Sequence, residues 1–142
     1  MGIGGKLLHM ITGMYRTLKI VVRVGNKVSN YADYHCGVRQ GCPASPILFD
    51  FFINGIFKGI SGVEVPGLPN RIPGLLFADD AVMLADSAEN LQTSLDAITV
   101  WSYTWEMAVN ASKCAIMAIN CDDPAELTLQ RQTISTTDQY TY

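Results

Sequence analysis

Two apolar runs lie on either side of an Asp-Asp pair, and this arrangement constrains the fold more than any other feature of the sequence. Leu75-Leu76-Phe77 precedes Asp79-Asp80, and a second apolar run, Ala81 to Ala85, follows directly. Short apolar runs separated by turn-forming residues predict a tight β-hairpin with both carboxylates at its turn. A hard divalent cation such as magnesium would compensate two adjacent negative charges. Asp also favours turns for structural reasons alone, so the pair by itself leaves a structural role open.

The rest of the hydrophobic pattern alternates between helical and strand periods. Helices are predicted over residues 5–18, from Ser45 to Lys58, and from Asp86 or Ser87 to about Trp105. Strands are predicted over 20–24, 28–36, 113–120, 127–130 and 133–142, the first two forming a hairpin around Gly25-Asn26. This order predicts an α+β fold, an antiparallel sheet with helices packed on one face, in a single domain of residues 1–142.

The second predicted helix is unusually apolar. Its polar residues Asp50, Asn54 and Lys58 are four apart and form one narrow stripe, and aromatic and aliphatic side chains cover the remainder. Such a pattern predicts a helix buried on most sides, packed centrally on the sheet.

Composition excludes several classes of protein. Hydrophobic residues make up 49% and charged residues 16%, which excludes a wholly disordered chain. The formal net charge is −3, whereas free-standing nucleic-acid-binding domains usually carry a basic excess, so any contact with nucleic acid is expected to be local. The longest apolar stretch is too short to cross a bilayer, and no membrane association is expected. The four cysteines, Cys36, Cys42, Cys114 and Cys121, lack zinc-site spacing, which predicts reduced thiols in an intracellular protein.

Several blocks of the sequence together resemble one known family. They are residues 37–49 (GVRQGCPASPILF), Ile53-Asn54, residues 76–80 (LFADD) and residues 109–114 (VNASKC). In this order and spacing the chain resembles the reverse transcriptases of non-LTR (LINE-type) retrotransposons, and the likeness covers essentially the whole chain. The resemblance implies a polymerase palm-like fold and an ancestral RNA-directed DNA polymerase activity.

The resemblance also implies roles for particular residues. In the family the carboxylates of the Asp79-Asp80 turn hold two magnesium ions, which activate the primer 3′ hydroxyl and hold the nucleotide phosphates. Asp79 is the expected metal ligand and Asp80 a secondary one. Lys113 would donate a proton to pyrophosphate or steady the nucleotide, although an ordinary solvated lysine explains it equally well.

The loop before the second helix is the other site implied by the resemblance. Arg39, Gln40 and Gly41 would lie beside the template and the incoming nucleotide, because glycine lets the backbone approach a ligand closely and Arg39 can meet a phosphate. The partners implied are therefore an RNA template, a DNA primer and a dNTP. The alternative is a purely structural role, in which the glycines only shape a loop between a strand and a helix and bind no ligand.

The family's palm has further parts that these 142 residues do not match. Another metal-binding Asp belongs to a strand before the first predicted helix, and the fingers and thumb are also unmatched. The expectation is an incomplete palm, inactive alone, whose open sheet edge promotes self-association. The alternative function is a non-catalytic, retroelement-derived binding or interaction protein.

Overall fold

A computed structural model describes residues 4–120 and 126–140 of the protein. The chain divides into two compact units, Met1–Ser45 and Pro46–Tyr142, which are described separately here as unit 1 and unit 2. Cys121 and the end of the last predicted strand, residues 141 and 142, lie outside the described residues.

Unit 1 consists of one helix followed by short antiparallel strands. The elements are α1 (Gly5–Tyr15), β1 (Lys19–Ile20), β2 (Arg23–Val24), β3 (Lys27–Val28) and β4 (Ala32–Asp33). β2 pairs with β3 around Gly25-Asn26, and β1 pairs with β4, so the predicted hairpin is confirmed. Between these two ladders the returning strand has one residue more than the first, which makes a β-bulge near Tyr31.

Unit 2 contains most of the regular structure. Its elements are α2 (Ser45–Ile53, which begins at the last residue of unit 1), a 3-10 helix (Asn54–Phe57), β5 (Gly74–Phe77), β6 (Asp80–Met83), α3 (Ala88–Thr104), a second 3-10 helix (Ala111–Lys113), β7 (Ala115–Ile116), β8 (Thr128–Leu129), β9 (Gln132–Thr133) and β10 (Ser135–Thr136). No helix in the described part of the chain is long and apolar enough to cross a membrane.

The strands form five separate two-stranded ladders, so the expected continuous antiparallel sheet is not present in the described residues. Four ladders are antiparallel, and β7 pairs with β10 in parallel. The physical reason is length: each strand has only two to four residues and pairs with one partner. The predicted strand over 113–120 is accordingly reduced to Ala115–Ile116.

The core of unit 2 forms where α3 meets the β8–β9 hairpin on one side and the end of α2 with the first 3-10 helix on the other. Its buried members are Ile53, Ile56, Leu95, Ile98, Leu127, Leu129 and Ile134. The side-chain amide of Gln92 pairs with the backbone of Thr128 through two hydrogen bonds of 2.9 and 3.0 Å. Gln130 donates to the hydroxyl of Ser102, which is fully buried. These polar contacts hold the hairpin in register on the helix.

The prediction that the second helix is buried on most sides was wrong. Ile47 is 58% exposed and Phe51 51% exposed, and Ile53 is the only buried apolar side chain of α2 among the described residues. The Phe52 ring packs near the end of α3, 5.4 Å from the ring of Trp101 and 5.2 Å from that of Trp105. The helix lies at the surface because no continuous sheet covers its other side.

Candidate functional site

Asp79 and Asp80 lie at the tip of a tight hairpin, as the sequence predicts. Phe77 pairs with Asp80, which leaves Ala78 and Asp79 as the two residues of the turn. Ala78 adopts a left-handed φ of 54°, a conformation that costs energy for any residue with a Cβ. Both carboxylates are therefore presented to solvent at the end of the β5–β6 ladder.

The base of this hairpin is packed tightly against the rest of unit 2. A Cβ on Gly74 would lie 2.2 Å from the carbonyl oxygen of Val82 and 2.7 Å from the ring of Phe57. Leu76 and Met83, on the inward side of the ladder, pack against the core. The carboxylates are thus carried by strands whose inner ends have little room to move.

The two carboxylates suit magnesium chemically but supply only part of a coordination shell. Neither the Asp79 nor the Asp80 carboxylate forms a hydrogen bond or ion pair within residues 4–120 and 126–140, and those ranges contain no group of three or more metal-ligating side chains. Magnesium commonly binds one or two protein carboxylates, retains several waters and takes further oxygens from substrate phosphates. The pair fits such a site as one contributor to it.

The backbone of Arg39 is held at both of its polar groups. Its N–H donates to the hydroxyl of Tyr15 at 3.4 Å. Its carbonyl accepts from the hydroxyl of Ser45 at 2.5 Å and from the N–H of Cys42 at 3.3 Å. Ser45, the first residue of α2, thus fixes the loop in front of the helix, while the Arg39 side chain remains exposed.

Glycine and cysteine shape the rest of this loop. Gly37 and Gly41 have φ of 89° and 77°, a region that favours glycine, and Gln40, which lies between these two glycines, is exposed. The thiol of Cys42 interacts with the N–H of Ala44 and with Ser45, and these hydrogen bonds lower its pKa below the ordinary value. The loop therefore presents Arg39 to Gly41 in a defined conformation.

Lys113 lies at the end of the second 3-10 helix and is exposed. Its carbonyl accepts a 2.7 Å hydrogen bond from the hydroxyl of Tyr140, which anchors the backbone. In the described part of unit 2 no hydrogen bond or ion pair joins Lys113 to Asp79 or Asp80. A cavity of about 380 Å³ is lined by residues 64–71 and by none of the predicted site residues.

The sequence analysis did not identify Arg71, whose side chain forms more hydrogen bonds than any other in the described part of unit 2. Its guanidinium donates to the carbonyl of Gly62 at 2.6 Å, to Asp86 at 2.8 Å and to Glu64 at 3.2 Å. Asp86 also accepts from the side chain of Asn90, and Asn90 and Arg71 together lower the pKa of Asp86. The helix cap is Ser87, so Asp86 serves the loop instead. Contacts between residues 7 and 15 positions apart follow no helical or strand period, and no local signal predicts them.

Comparison with known proteins places these observations in a family. The sequence model of the family described as reverse transcriptase (RNA-dependent DNA polymerase) matches residues 5–142 of this chain. The chain is 30% identical over 117 residues to the retrovirus-related Pol polyprotein from type-1 retrotransposable element R2 of Nasonia vitripennis, covering 80% of this chain and 11% of that protein. It is 30% identical over 113 residues to a polyprotein of the same designation from Popillia japonica, covering 77% and 18%.

A relative of a second kind extends the match. The chain is 26% identical over 153 residues to the RNA-directed DNA polymerase from mobile element jockey of Drosophila funebris, covering 96% of this chain and 16% of that protein. The chain therefore spans less than a fifth of the length of these relatives. No solved structure gave a significant match. The family match over nearly the whole chain establishes that this protein belongs to the reverse transcriptases, of the kind carried by non-LTR retrotransposons.

Proposed function

We propose that residues 1–142 form part of the palm of an RNA-directed DNA polymerase, with Asp79 as its principal magnesium ligand and Asp80 as a secondary one. The observation that carries the proposal is the carboxylate pair at the tip of a firmly seated hairpin, in a chain that matches the family over residues 5–142. Magnesium bound there would stabilise the attacking and leaving oxygens of an in-line displacement.

The loop before α2 and Lys113, the other two predicted sites, are proposed to bind phosphate and to hold a proton. The exposed guanidinium of Arg39, on a backbone held by Tyr15 and Ser45, is available to a phosphate of template or nucleotide. Gln40 and Gly41 would lie beside the same ligand. Lys113 would hold a proton near the leaving pyrophosphate, and its backbone anchor to Tyr140 limits its motion.

A chimera tests this assignment. Residues 5–142 would replace the homologous segment of an active R2-type polymerase, and primer extension on an RNA template would be measured with magnesium. We expect Asp79→Asn to abolish extension, whereas Asp50→Asn, which changes an exposed carboxylate on α2, should retain it. An active Asp79→Asn chimera would refute the metal-ligand role.

The 142-residue chain taken alone is proposed to be inactive. Two carboxylates give magnesium few protein ligands, so binding should be weak and most of the waters retained. Primer extension by the purified chain with magnesium or manganese should stay at background. Template-dependent incorporation that Asp79→Ala removes would contradict the proposal.

A second candidate function is that of a non-catalytic binding protein, and the outward face of the hairpin favours it. Leu75 is 60% exposed and Phe77 82% exposed on that face, and no strand among the described residues pairs with the outer edges of the two-stranded ladder. Apolar faces and open edges invite other chains. Self-association is therefore proposed for the isolated chain, and a monomer in light scattering at high concentration would count against it.

A further inference from the structure

The side-chain hydroxyls of Tyr15 and Ser45 and the two backbone polar groups of Arg39 form a closed cycle of hydrogen bonds in unit 1. The Arg39 N–H donates to the Tyr15 hydroxyl at 3.4 Å, and the Ser45 hydroxyl donates to the Arg39 carbonyl at 2.5 Å. The hydroxyl oxygens of Tyr15 and Ser45 lie 3.4 Å apart. The cycle therefore joins the last residue of α1 and the first residue of α2 to the loop that precedes α2.

The hydrogens of this cycle can be assigned from its geometry. A hydroxyl group carries one hydrogen, and that of Ser45 goes to the Arg39 carbonyl, the shorter of its two contacts in the cycle. The Tyr15 oxygen already accepts from the Arg39 N–H, so its own hydrogen is left for the Ser45 oxygen. Each group consequently donates to the next in one direction, an arrangement in which hydrogen bonds strengthen one another.

The cycle fixes the backbone of Arg39 on both sides of its Cα. The N–H belongs to the peptide plane before the Cα and the carbonyl to the plane after it, and between two planar groups only φ and ψ can vary. Gly37 and Gly41, both at positive φ, would otherwise allow the loop many conformations. The guanidinium of Arg39, which is exposed and makes no ion pair within the described ranges, therefore projects from a fixed Cα.

We propose that Tyr15 and Ser45 are positioning residues, which hold Arg39 in the conformation that binds a substrate phosphate. A guanidinium whose backbone is already fixed loses less conformational entropy on binding, and this smaller loss gives tighter binding. The inference rests on the phosphate-binding role proposed above for Arg39, and it adds two hydroxyls that act through the Arg39 backbone. They should therefore change substrate affinity and leave the rate of the chemical step nearly unchanged.

The first measurement is hydrogen–deuterium exchange at the Arg39 amide of the purified 142-residue chain. Tyr15→Phe removes the acceptor of this amide and keeps the aromatic side chain, so exchange should be roughly 3- to 10-fold faster, the effect of losing one hydrogen bond. The matched control is Tyr31→Phe. It removes the same hydroxyl from a side chain of unit 1 that is 77% exposed and makes no hydrogen bond among the described residues, so exchange at Arg39 should not change.

The second measurement is steady-state kinetics of the chimera described above. Tyr15→Phe and Ser45→Ala should each raise the KM of one phosphate-bearing substrate roughly 3- to 10-fold and leave kcat within about twofold. A raised KM for the dNTP identifies the nucleotide as the ligand of Arg39, whereas a raised KM for the primer–template identifies the nucleic-acid backbone. Tyr31→Phe should leave both KM values and kcat unchanged.

Three outcomes would overturn the inference. The first is unchanged exchange at the Arg39 amide in Tyr15→Phe, and the second is a Tyr15→Phe chimera with both KM values unchanged. The third is a lower kcat with unchanged KM, the pattern expected if the hydroxyl only maintains the fold and its loss reduces the active fraction.

The failure of this inference can be distinguished from the failure of the proposed function. A chimera that Asp79→Asn inactivates, but whose KM values do not respond to Tyr15→Phe, refutes the positioning role alone. An active Asp79→Asn chimera refutes the metal-ligand role, whereas the response of KM to Tyr15→Phe still decides the positioning role. A chimera that is inactive before any substitution refutes both.

Discussion

The substitution Gly74→Ala tests whether the carboxylate hairpin is rigidly seated. The added Cβ would lie 2.2 Å from the carbonyl oxygen of Val82, and that separation must open by at least 0.8 Å to reach the 3.0 Å below which real Cβ contacts are essentially never seen. The Phe57 ring, at 2.7 Å, can rotate away, but the carbonyl belongs to the partner strand and cannot move alone. The β5–β6 ladder must shift as a whole.

Overpacking of this kind typically costs about 1–3 kcal/mol, and the backbone clash places Gly74→Ala at the upper end. We expect a loss of about 3 kcal/mol in the free energy of unfolding, measured by urea denaturation with tryptophan fluorescence. Trp101 and Trp105, both in unit 2, report on that unit. The midpoint of thermal unfolding should fall by more than about 10 °C.

Gly55→Ala is the matched control. The same methyl group would there meet only the indole nitrogen of Trp101, at an ordinary 3.5 Å, so we expect a change within about 0.5 kcal/mol or a small gain. Combining Gly74→Ala with Phe57→Leu should recover only part of the loss, because the carbonyl clash remains. A Gly74→Ala variant as stable as wild type would refute the idea that the hairpin is fixed at its base.

Three other predictions follow from local geometry. Ala78→Gly should raise the free energy of unfolding by about 1 kcal/mol in the same urea titration, because glycine removes the left-handed strain at φ 54°, and a loss would contradict that reasoning. Iodoacetamide at about pH 7.5 should alkylate Cys42 before Cys114 in a mass-spectrometric time course, since hydrogen bonds lower the pKa of Cys42 whereas burial raises that of Cys114. Asp86→Asn should destabilise the protein at neutral pH, and the difference from wild type should shrink as the pH falls through the lowered pKa of Asp86, because the folded state then loses the charged partner of Arg71; a pH-independent difference would contradict it.

Local signals predicted local structure well. The hairpin around Asp79-Asp80, the hairpin around Gly25-Asn26 and the start of α3 all depend on turn and cap residues that act within a few positions, and all three are confirmed. The candidate residues on these elements could therefore be placed from sequence, and Asp79 and Asp80 are indeed exposed at a turn.

Contacts between distant elements could not be predicted in the same way. The apolar face of α2 indicated burial, yet burial needs a covering partner, and the strands of two to four residues in the described parts of the chain form no continuous sheet to supply one. The hydroxyl of Tyr15 lies 24 positions from the Arg39 N–H that it accepts, a contact with no periodic signature. The hydrophobic periodicity therefore identifies which face of a helix or strand is apolar, but it does not identify the element that packs against that face.

Because Arg71 holds the base of the loop formed by residues 62–72, this loop should tolerate insertions and deletions at its tip. The backbone bridge between Val63 and Ile72 closes the loop at its base, and Arg71 ties that base to Asp86. A planar guanidinium spans several acceptors, which the single ammonium of a lysine would not do. Residues 65–70 form the part of the loop beyond the Val63–Ile72 bridge. Lengthening a flexible loop costs little conformational entropy. The tip near Gly67-Leu68 is consequently a permissive insertion point, where homologous chains can gain or lose residues, or an epitope can be introduced, without moving the hairpin that follows.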